Sequence, residues 1–558
     1  MTTTVDLKLT GAQVLNVFSR QFEPLTLWIT GGQIISNQLD ANLEATKTID
    51  LTGKWVVPGL IDAHVHMESA LVSPSEFGQV VLNHGVTTIV TDPHELANVT
   101  GIDGITYLIQ DARQTPLDVQ FMLPSSVPCV PFDHNGATLS AADLADLYAY
   151  PEVNGLAEVM DYPGIVRHDA DLLQKIQDAR RHGDHVDGHA AGYSEAMLNQ
   201  LAGAGIDTDH ECVSVAEAEA RLRAGMAVFL RQGSVENDLL NTIGAVTEAN
   251  AHRFAFCTDD KTISDLVHEG SIDHNVRLAI QSGMRPALAY TLASYNAAQI
   301  HRLWNRGALS AGYLADLVVL DNPEAVTINR VMKNGQWVTA ESVTKPLAFT
   351  QNTMHHHVQL ADLQLPLHGQ PVHVMTIEPN HITTGHDLAA LPKTPNFEAD
   401  LTNDLLKMVV VERHRRLGTV GLGLVHGFQL TSGAVATSIA HDAHNIVAFG
   451  TSDADILLAI QQITATNGGI AVVNQGQVLA SMPLAIGGIL SDQPYATVSQ
   501  QLTSLTAAYQ SLSTADPFDP FITLSFLTLP VIPTLKLTDQ GLYDVERGQF
   551  IPLEVDEP

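Results

Sequence analysis

Two histidines stand one residue apart in the stretch PGLIDAHVHMES, residues 58–69, directly after an apolar run. Side chains two residues apart on a strand point to the same side, so His64 and His66 can project together. Two imidazoles placed in this way can bind one divalent metal ion, although a pair of hydrogen-bonded core histidines would have the same spacing. The pair alone leaves a metal site and a structural role open.

Side chains that can bind a metal recur at the ends of later apolar stretches. They are Glu158 in VNGLAEVMD, His189 in HVDGHA, His210 in IDTDHE, and Asp259 and Asp260 after FAFCT. Burying several carboxylates and imidazoles together without a cation is costly, because unpaired charge is unstable in a low dielectric and like charges repel. We therefore expect these side chains to surround one or two divalent metals. Of the two adjacent aspartates we favour Asp259, and Asp260 has the alternative of a helix cap.

The elements that must position these side chains alternate between short apolar strands and longer helical stretches over residues 58–302. This rhythm predicts a parallel sheet covered by helices. Eight such units in roughly 250 residues are the size of a closed (β/α)8 TIM-like barrel, in which catalytic groups lie where strands end. The expected strands end at His66, Glu95, Ser126, Asp161, Ala190, Glu211, Ser234 and Asp260.

The flanks of this region have a different pattern. Residues 1–57 and 303–345 alternate short β-favouring stretches with Gly and Asn turns, which predicts a small β-sandwich domain assembled from both flanks. Residues 346–558 mix strands and helices, with a strand, a turn and a helix around 451–463, and predict an additional C-terminal α/β domain. Its first part, 350–396, is rich in Pro, His, Asn and Thr and is expected to be a linker.

The charge and composition of the chain exclude several classes of partner. The 558 residues carry 61 acidic and 28 basic side chains, a formal net charge of −33, which would repel nucleic acid and an anionic membrane. We find no apolar run of the ~20 residues that a spanning helix needs, and no secretory leader at the N-terminus. Cys129, Cys212 and Cys257 have no paired spacing, so neither disulfides nor a thiolate metal site is expected. We predict a cytoplasmic enzyme with a small-molecule substrate.

Several long stretches of the chain resemble one enzyme family. PGLIDAHVHMESALVSPSEF, GVTTIVTDPHELANVTG, GLAEVMDYPGI, AHDAHNIVAFGTSDADI and LSFLTLPVIPTLKLTDQGL resemble the adenine deaminases of the amidohydrolase superfamily of metal-dependent hydrolases. The resemblance covers nearly the whole chain, including a C-terminal domain of the adenine deaminase type. It implies that His64 and His66 bind one metal, that Glu158 bridges two metals, that His189 and His210 hold the second, and that Asp259 contacts metal and moves protons.

Glu158 stands where many members of the superfamily use a carboxylated lysine. No Lys or Arg lies close to it in the sequence, which disfavours the alternative of a buried strand glutamate paired with a basic residue. Imidazole and carboxylate ligands without thiolate suit Mn, Fe or Zn. The resemblance favours a binuclear centre of Mn²⁺ or Fe²⁺, and we expect Mn²⁺.

The stretch TDPHE gathers Asp92, His94 and Glu95 at the end of the second expected strand. A turn with local hydrogen bonds would explain them without function. The resemblance favours substrate contact or proton transfer, so we assign proton transfer to Asp259 with Glu95 or Asp92, and substrate binding to His94.

Four further side chains are weaker candidates for substrate binding. Glu68 shares the side of His66 if the strand continues, with hydrogen bonding to a metal ligand as the alternative. Asp260 is the second candidate. His441 and His444 in HDAHN belong to the C-terminal region, where packing is the alternative and where a family-specific domain can also lend groups to an active site.

The reaction that the resemblance implies is adenine plus water giving hypoxanthine and ammonia, a purine salvage step. One alternative is another enzyme of the superfamily, acting on a different aminated heterocycle or a cyclic amide. A second alternative, from another class, is a metal-stabilised binding protein without turnover. We also expect a homo-oligomer, a dimer in the first instance.

Overall fold

The structure is a computed structural model that describes residues 3–39, 41–183, 185–339, 345–379 and 381–555. Within these ranges, none of the helices combines the length and the apolar character that a bilayer crossing requires.

Two small sheets form a sandwich from both flanks of the chain. The first seven strands are β1 (Thr3–Thr10), β2 (Gln13–Asn16), β3 (Gln21–Pro24), β4 (Leu27–Thr30), β5 (Gln33–Ser36), β6 (Leu43–Asp50) and β7 (Trp55–Pro58). Strands β8 to β15 belong to the barrel, and the later flank supplies β16 (Leu317–Asn322), β17 (Thr327–Lys333) and β18 (Gln336–Trp337).

The strand orders of the two sheets are β5-β4-β1-β6 and β18-β17-β16-β7-β2-β3. Leu9, Ile29, Val56 and Val319 bury their side chains between the sheets in one shared core. The strand pair β7–β16 therefore joins the two flanks, as the sequence predicts. The domain bounds expected at residues 57, 302 and 345 stay a prediction, and residues 340–344 lie outside the described residues.

Eight parallel strands form the predicted barrel. They are β8 (Leu60–Val65), β9 (Val86–Thr91), β10 (Asp118–Leu123), β11 (Val153–Val159), β12 (His185–Gly188), β13 (Thr208–Asp209), β14 (Ala227–Arg231) and β15 (Phe254–Cys257). Strands β8 to β12 form one parallel sheet and β13 to β15 another. The Asp207 N–H donates to the Val186 carbonyl at 2.9 Å, and the Asp259 N–H donates to the His64 carbonyl at 3.0 Å. Because these bonds join the two sheets at both seams, the barrel is closed, which confirms the prediction.

Helices cover the outside of the barrel and the ends of its strands. They are α1 (Pro74–Asn83), α2 (His94–Thr100), α3 (Ile102–Ala112), α4 (Ala141–Leu144), α5 (Tyr162–Arg167), α6 (Ala170–His182), α7 (Glu195–Ala204), α8 (Val215–Arg223), α9 (Leu239–Thr242), α10 (Ile263–His268), α11 (Ile272–Gln281), α12 (Pro286–Thr291) and α13 (Ala297–Ile300). The second barrel strand ends at Thr91 and not at the expected Glu95, because α2 begins at His94.

The C-terminal region contains an eight-stranded sheet. Its strands are β19 (Pro371–Ile377), β20 (Thr384–Ala390), β21 (Leu406–Val411), β22 (Val420–His426), β23 (Ala434–Thr437), β24 (Ile446–Gly450), β25 (Gly469–Asn474) and β26 (Gln477–Pro483), in the order β20-β19-β22-β21-β24-β23-β25-β26. Neighbouring strands are antiparallel except for the parallel pair β19–β22. The linker expected over 350–396 is wrong, because β19 and β20 lie within it.

Three helices and a small sheet complete this region. They are α14 (Asp453–Ala465), α15 (Tyr495–Gln510), α16 (Pro520–Phe526), β27 (Leu535–Thr538), β28 (Gly541–Asp544) and β29 (Gln549–Ile551). The expected strand, turn and helix around 451–463 are confirmed by β24 and α14. The Ser491 N–H donates to the Leu71 carbonyl at 2.8 Å, and the Tyr495 N–H donates to Glu76 Oε2 at 2.9 Å. These bonds hold the C-terminal region over the barrel mouth.

A buried ion pair fixes the end of the sixth barrel strand. Arg221, on α8, donates from Nε to Asp209 Oδ2 at 2.7 Å and from Nη2 to the Ala190 carbonyl at 2.5 Å, and both charged side chains are fully buried. The other oxygen of Asp209 accepts the Ala190 N–H at 2.8 Å. The pair therefore ties β13 to the segment that follows β12.

We expect Arg221→Met to lower the Tm by about 5 °C or more, because removal of one partner leaves a buried carboxylate unpaired at a cost of about 3–5 kcal/mol. Arg223→Met is the matched control, since Arg223 lies on the same helix in a half-exposed pair with Glu195 and should change Tm little. Equal midpoints for both variants in a thermal unfolding experiment would contradict this account.

Candidate active site

Three buried side chains converge where the first and last barrel strands meet. Nε2 of His64 and Nε2 of His66 are 3.3 Å apart. Asp259 Oδ1 lies 3.5 Å from the first nitrogen and 3.3 Å from the second. His64 lies on β8, and His66 directly follows its last residue, Val65. Both side chains point into the barrel mouth, as expected.

The backbone of Asp259 explains why this aspartate, and not its neighbour, faces the histidines. Its φ is +57°, a left-handed conformation that is uncommon for a residue with a side chain. Its N–H donates to the His64 carbonyl and its carbonyl accepts the His66 N–H, so the strained turn is held by the barrel seam. Asp260 accepts a hydrogen bond from Ser69 Oγ and lines the same cavity as His66.

Glu158, at the end of β11, faces two groups of imidazoles. Its Oε1 lies 3.6 Å from Nε2 of His66. Its Oε2 lies 3.1 Å from Nδ1 of His189 and 3.2 Å from Nε2 of His210. The structure thus brings together all six residues for which the resemblance implies metal binding. The Glu158 carboxylate lies between His66 and the pair of His189 and His210.

The separations among these atoms fit the ligands of divalent metals. With metal–ligand distances of about 2.0–2.2 Å, tetrahedral ligands lie roughly 3.3–3.6 Å from one another, which matches the nest of His64, His66 and Asp259. The two Nε2 atoms are also close enough for the lone pairs of both imidazoles to bind one ion. The donor set, imidazole and carboxylate, is one that Mn, Fe and Zn accept. The residues present therefore fit a divalent metal centre.

His94 and Asp92 form a hydrogen-bonded unit at the start of α2. Asp92 Oδ1 accepts the His94 N–H at 3.1 Å, and its Oδ2 accepts from His94 Nδ1 at 3.0 Å. The His94 ring lies 4.8 Å from the His66 ring, and its Nδ1 is 3.8 Å from Glu158 Oε1. Asp92 thus turns both oxygens to the histidine that it orients.

Glu95 connects the barrel with the C-terminal region. His441 Nδ1 lies 2.8 Å from Glu95 Oε1, and His444 Nε2 bonds to Oε2. Burial alone would lower the pKa of both histidines. The Glu95 carboxylate outweighs burial at His441 and raises its pKa to about 9, whereas burial prevails at His444 and lowers its pKa to about 4. Burial alone would raise the pKa of Glu95, but the adjacent imidazoles hold it well below its usual value. His441 is therefore the cation of this cluster near neutral pH.

Glu68 does not lie on the first strand. Because β8 ends at Val65, Glu68 falls in a 3-10 turn over Met67–Ala70. The carboxylate is buried, and among the described residues neither oxygen has a hydrogen-bond partner. Burial, with the charge of Glu95 nearby, raises the pKa of Glu68 to about 8.

Two charged residues of the site were missed in the sequence. Arg231 ends β14 and donates from Nη1 to Asp259 Oδ2 at 3.0 Å and to Glu211 Oε1. Glu211 Oε1 also lies 3.3 Å from His210 Nε2 and 3.6 Å from His189 Nδ1. Glu211 ends the sixth expected strand, so the rule that singled out the ligands would have found it, whereas Arg231 lies three residues before the expected end of the seventh.

We call the six candidate ligands His64, His66, Glu158, His189, His210 and Asp259 the metal-type residues. The C-terminal region covers a cavity that lies over them. The barrel supplies its polar floor, and the C-terminal region supplies a mainly apolar wall made of Ile382, His441, Asp442, Phe526, Leu529, Val531 and Ile532. A site of this kind can bind a small molecule away from bulk water, beside groups that hold metal and move protons.

Comparison with known proteins agrees with this geometry. The family model of the amidohydrolases matches residues 55–338, and that of the adenine deaminase C-terminal domain matches residues 381–549. An adenine deaminase of Lactiplantibacillus plantarum is 64% identical over 100% of this chain and 99% of its own. Those of Leuconostoc citreum and Listeria monocytogenes serotype 4b are 49% and 50% identical over 99% of this chain and 100% and 96% of theirs. The chain therefore belongs to the adenine deaminase family of the amidohydrolases.

Proposed function

We propose that this protein converts adenine and water to hypoxanthine and ammonia with two divalent metal ions, Mn²⁺ in the first instance. The names of relatives that are 64% identical over the whole chain support the substrate. The observation that carries the metal pair is that one oxygen of Glu158 lies nearest to His66 and the other nearest to His189 and His210. The residues that would hold the metals are His64, His66, Glu158, His189, His210 and Asp259.

Divalent metals bound there would supply Lewis-acid activation of a water molecule, lowering its pKa toward neutrality. Carboxylate and imidazole ligands suit Mn²⁺, Fe²⁺ and Zn²⁺ alike, and the resemblance to the adenine deaminases favours Mn²⁺ or Fe²⁺. The protein itself positions these ligand side chains and excludes bulk water from the cavity.

The chain's residues also move the protons of the reaction. Water oxygen bonds to C6 of adenine, the bond from C6 to the amino nitrogen breaks, and one water proton remains on ring N1 while the other leaves in ammonia. Asp259 Oδ1, beside both histidines of β8, is placed to accept a proton from the attacking water. We assign the delivery of a proton to ring N1 to the pair of His441 and Glu95, whose Nδ1 and Oε1 atoms lie 2.8 Å apart.

Asp92 is assigned to positioning His94 and not to proton transfer. Both of its oxygens bind His94, so we assign it to orienting that imidazole, which leaves proton transfer to Glu95 and Asp259. Because His94 Nε2 lies 3.4 Å from Glu95 Oε1, the orientation of His94 also fixes the place of the Glu95 carboxylate.

The purified protein supplied with Mn²⁺ should convert adenine to hypoxanthine, followed by ultraviolet absorbance and ammonia release. Chelation should lower the rate by about 100-fold or more, and added Mn²⁺ should restore it. A chelated protein that keeps its rate would contradict the metal assignment. Ammonia release from another aminated heterocycle, with none from adenine, would contradict the substrate.

Glu158→Gln should lower kcat/KM for adenine on the order of 100- to 1,000-fold and reduce bound metal, because the amide offers one neutral oxygen in place of two charged ones. Metal content is read by elemental analysis, and the fold by circular dichroism. Glu152→Gln is the control, since Glu152 precedes the same strand in a surface pair with Arg113. Full metal content with full activity in Glu158→Gln would rule out a bridging ligand.

Glu95→Gln should lower kcat by about 100- to 10,000-fold with metal content unchanged, because the proton held with His441 can no longer be passed on. The measurement is steady-state kinetics together with elemental analysis. Asp103→Asn, an exposed carboxylate on the next helix, should retain wild-type kinetics. A Glu95→Gln enzyme that turns over adenine at the wild-type rate would remove Glu95 from the mechanism.

A further inference from the structure

A second cavity adjoins the metal-type residues on the side of Glu68. It lies between the barrel mouth and the C-terminal region and shares the residues Glu95, Asp260, His441 and Phe526 with the first cavity, so the two are neighbours. Its wall from the C-terminal region is mainly apolar and includes Ile439, Ile470, Ile489, Leu502, Phe521 and Ile522. Such a wall suits the face of a flat, weakly polar ring.

The carboxylates that line this cavity differ in how their oxygens are used. Glu95 binds His441 and His444, Asp260 accepts from Ser69 Oγ, and Asp519 Oδ1 accepts the Phe521 and Ile522 N–H groups at the start of α16. Of the carboxylates that line this cavity, only Glu68, which is 1% exposed, has both oxygens without a hydrogen-bond partner among the described residues.

An unpartnered buried carboxylate is costly and is found where a ligand completes its hydrogen bonds. A carboxyl group has an acceptor oxygen whether or not it is ionised, so a ligand that completes the hydrogen bonds of Glu68 must bring an N–H or O–H donor into this cavity. The negative charge of Glu95 nearby disfavours an anionic ligand.

Adenine has two kinds of donor, the exocyclic amino group and the imidazole N–H. The amino group is the leaving group and must lie over the metal-type residues, which leaves the imidazole N–H to face the adjoining cavity. We propose that Glu68 accepts the imidazole N–H of the purine and thereby selects the free base over purines substituted at N9, such as nucleosides. This proposal rests on the adenine deamination proposed above.

The test uses ligands that do not react. 6-Methylpurine keeps the imidazole N–H and has no amine to lose, whereas 6,9-dimethylpurine lacks that donor. The metal-loaded wild-type enzyme should bind 6-methylpurine at least about tenfold more tightly in titration calorimetry. Glu68→Leu should weaken 6-methylpurine binding by about 10- to 100-fold and leave 6,9-dimethylpurine binding unchanged or tighter. Glu68→Gln keeps a neutral acceptor, so its affinity for 6-methylpurine should lie between those of the wild type and Glu68→Leu.

Glu76→Gln is the matched control. Glu76 is a buried carboxylate between the same two parts of the molecule, but its oxygens accept from Gln79 Nε2 and the Tyr495 N–H, so the ratio of the two affinities should stay at the wild-type value. Equal affinities of the wild type for both purines, or an equal loss of both in Glu68→Leu with metal content retained, would overturn the role of Glu68. The affinity ratio is a binding measurement, so it tests the role of Glu68 independently of the reaction. Failure to release ammonia from adenine would contradict the proposed reaction alone.

Discussion

The structure depends on holding many ionisable groups close together in a dry barrel mouth. Removing carboxylates from water is unfavourable, and placing them side by side adds repulsion. The chain offsets part of this with Arg231, a buried cation that binds Glu211, Asp238 and Asp259. Among the described residues, the Glu158 carboxylate is surrounded by the imidazoles of His64, His66, His94, His189 and His210.

The C-terminal region is part of the site and not an appendage. Its His441 and His444 reach Glu95 on the barrel, and the loop that carries them is held by Arg413. This fully buried guanidinium donates to the carbonyls of Thr353 and Gly487 at 3.0 Å each and to that of His444. Because three separate segments of the C-terminal region meet at this guanidinium, the loop that carries the two histidines is fixed within that region.

The barrel, and the convergence of candidate ligand side chains at the ends of its strands, could be predicted from the sequence because both follow from local periodicity. His64 and His66 end an apolar strand, and Glu158 and His210 repeat the same position one or more strands later. Contacts made by docking of distant segments have no such signal. Glu95 and His444 are 349 residues apart, and the turn that gives Asp259 its positive φ is imposed by the barrel seam. The strands β19 and β20 were missed because their many polar and turn-forming residues hide a period of two, which pairing with neighbours then enforces.

The sandwich from both flanks has a consequence for the integrity of the barrel. Strand β7 runs into the first barrel strand after Gly59 alone, and it pairs with β16, which follows the last barrel helix, through Val57 opposite Val318. The polypeptide thus enters and leaves its catalytic module through adjacent strands of one sheet. A proteolytic nick in any loop between the eight repeats would leave two fragments that remain joined by main-chain hydrogen bonds lying outside the ring itself.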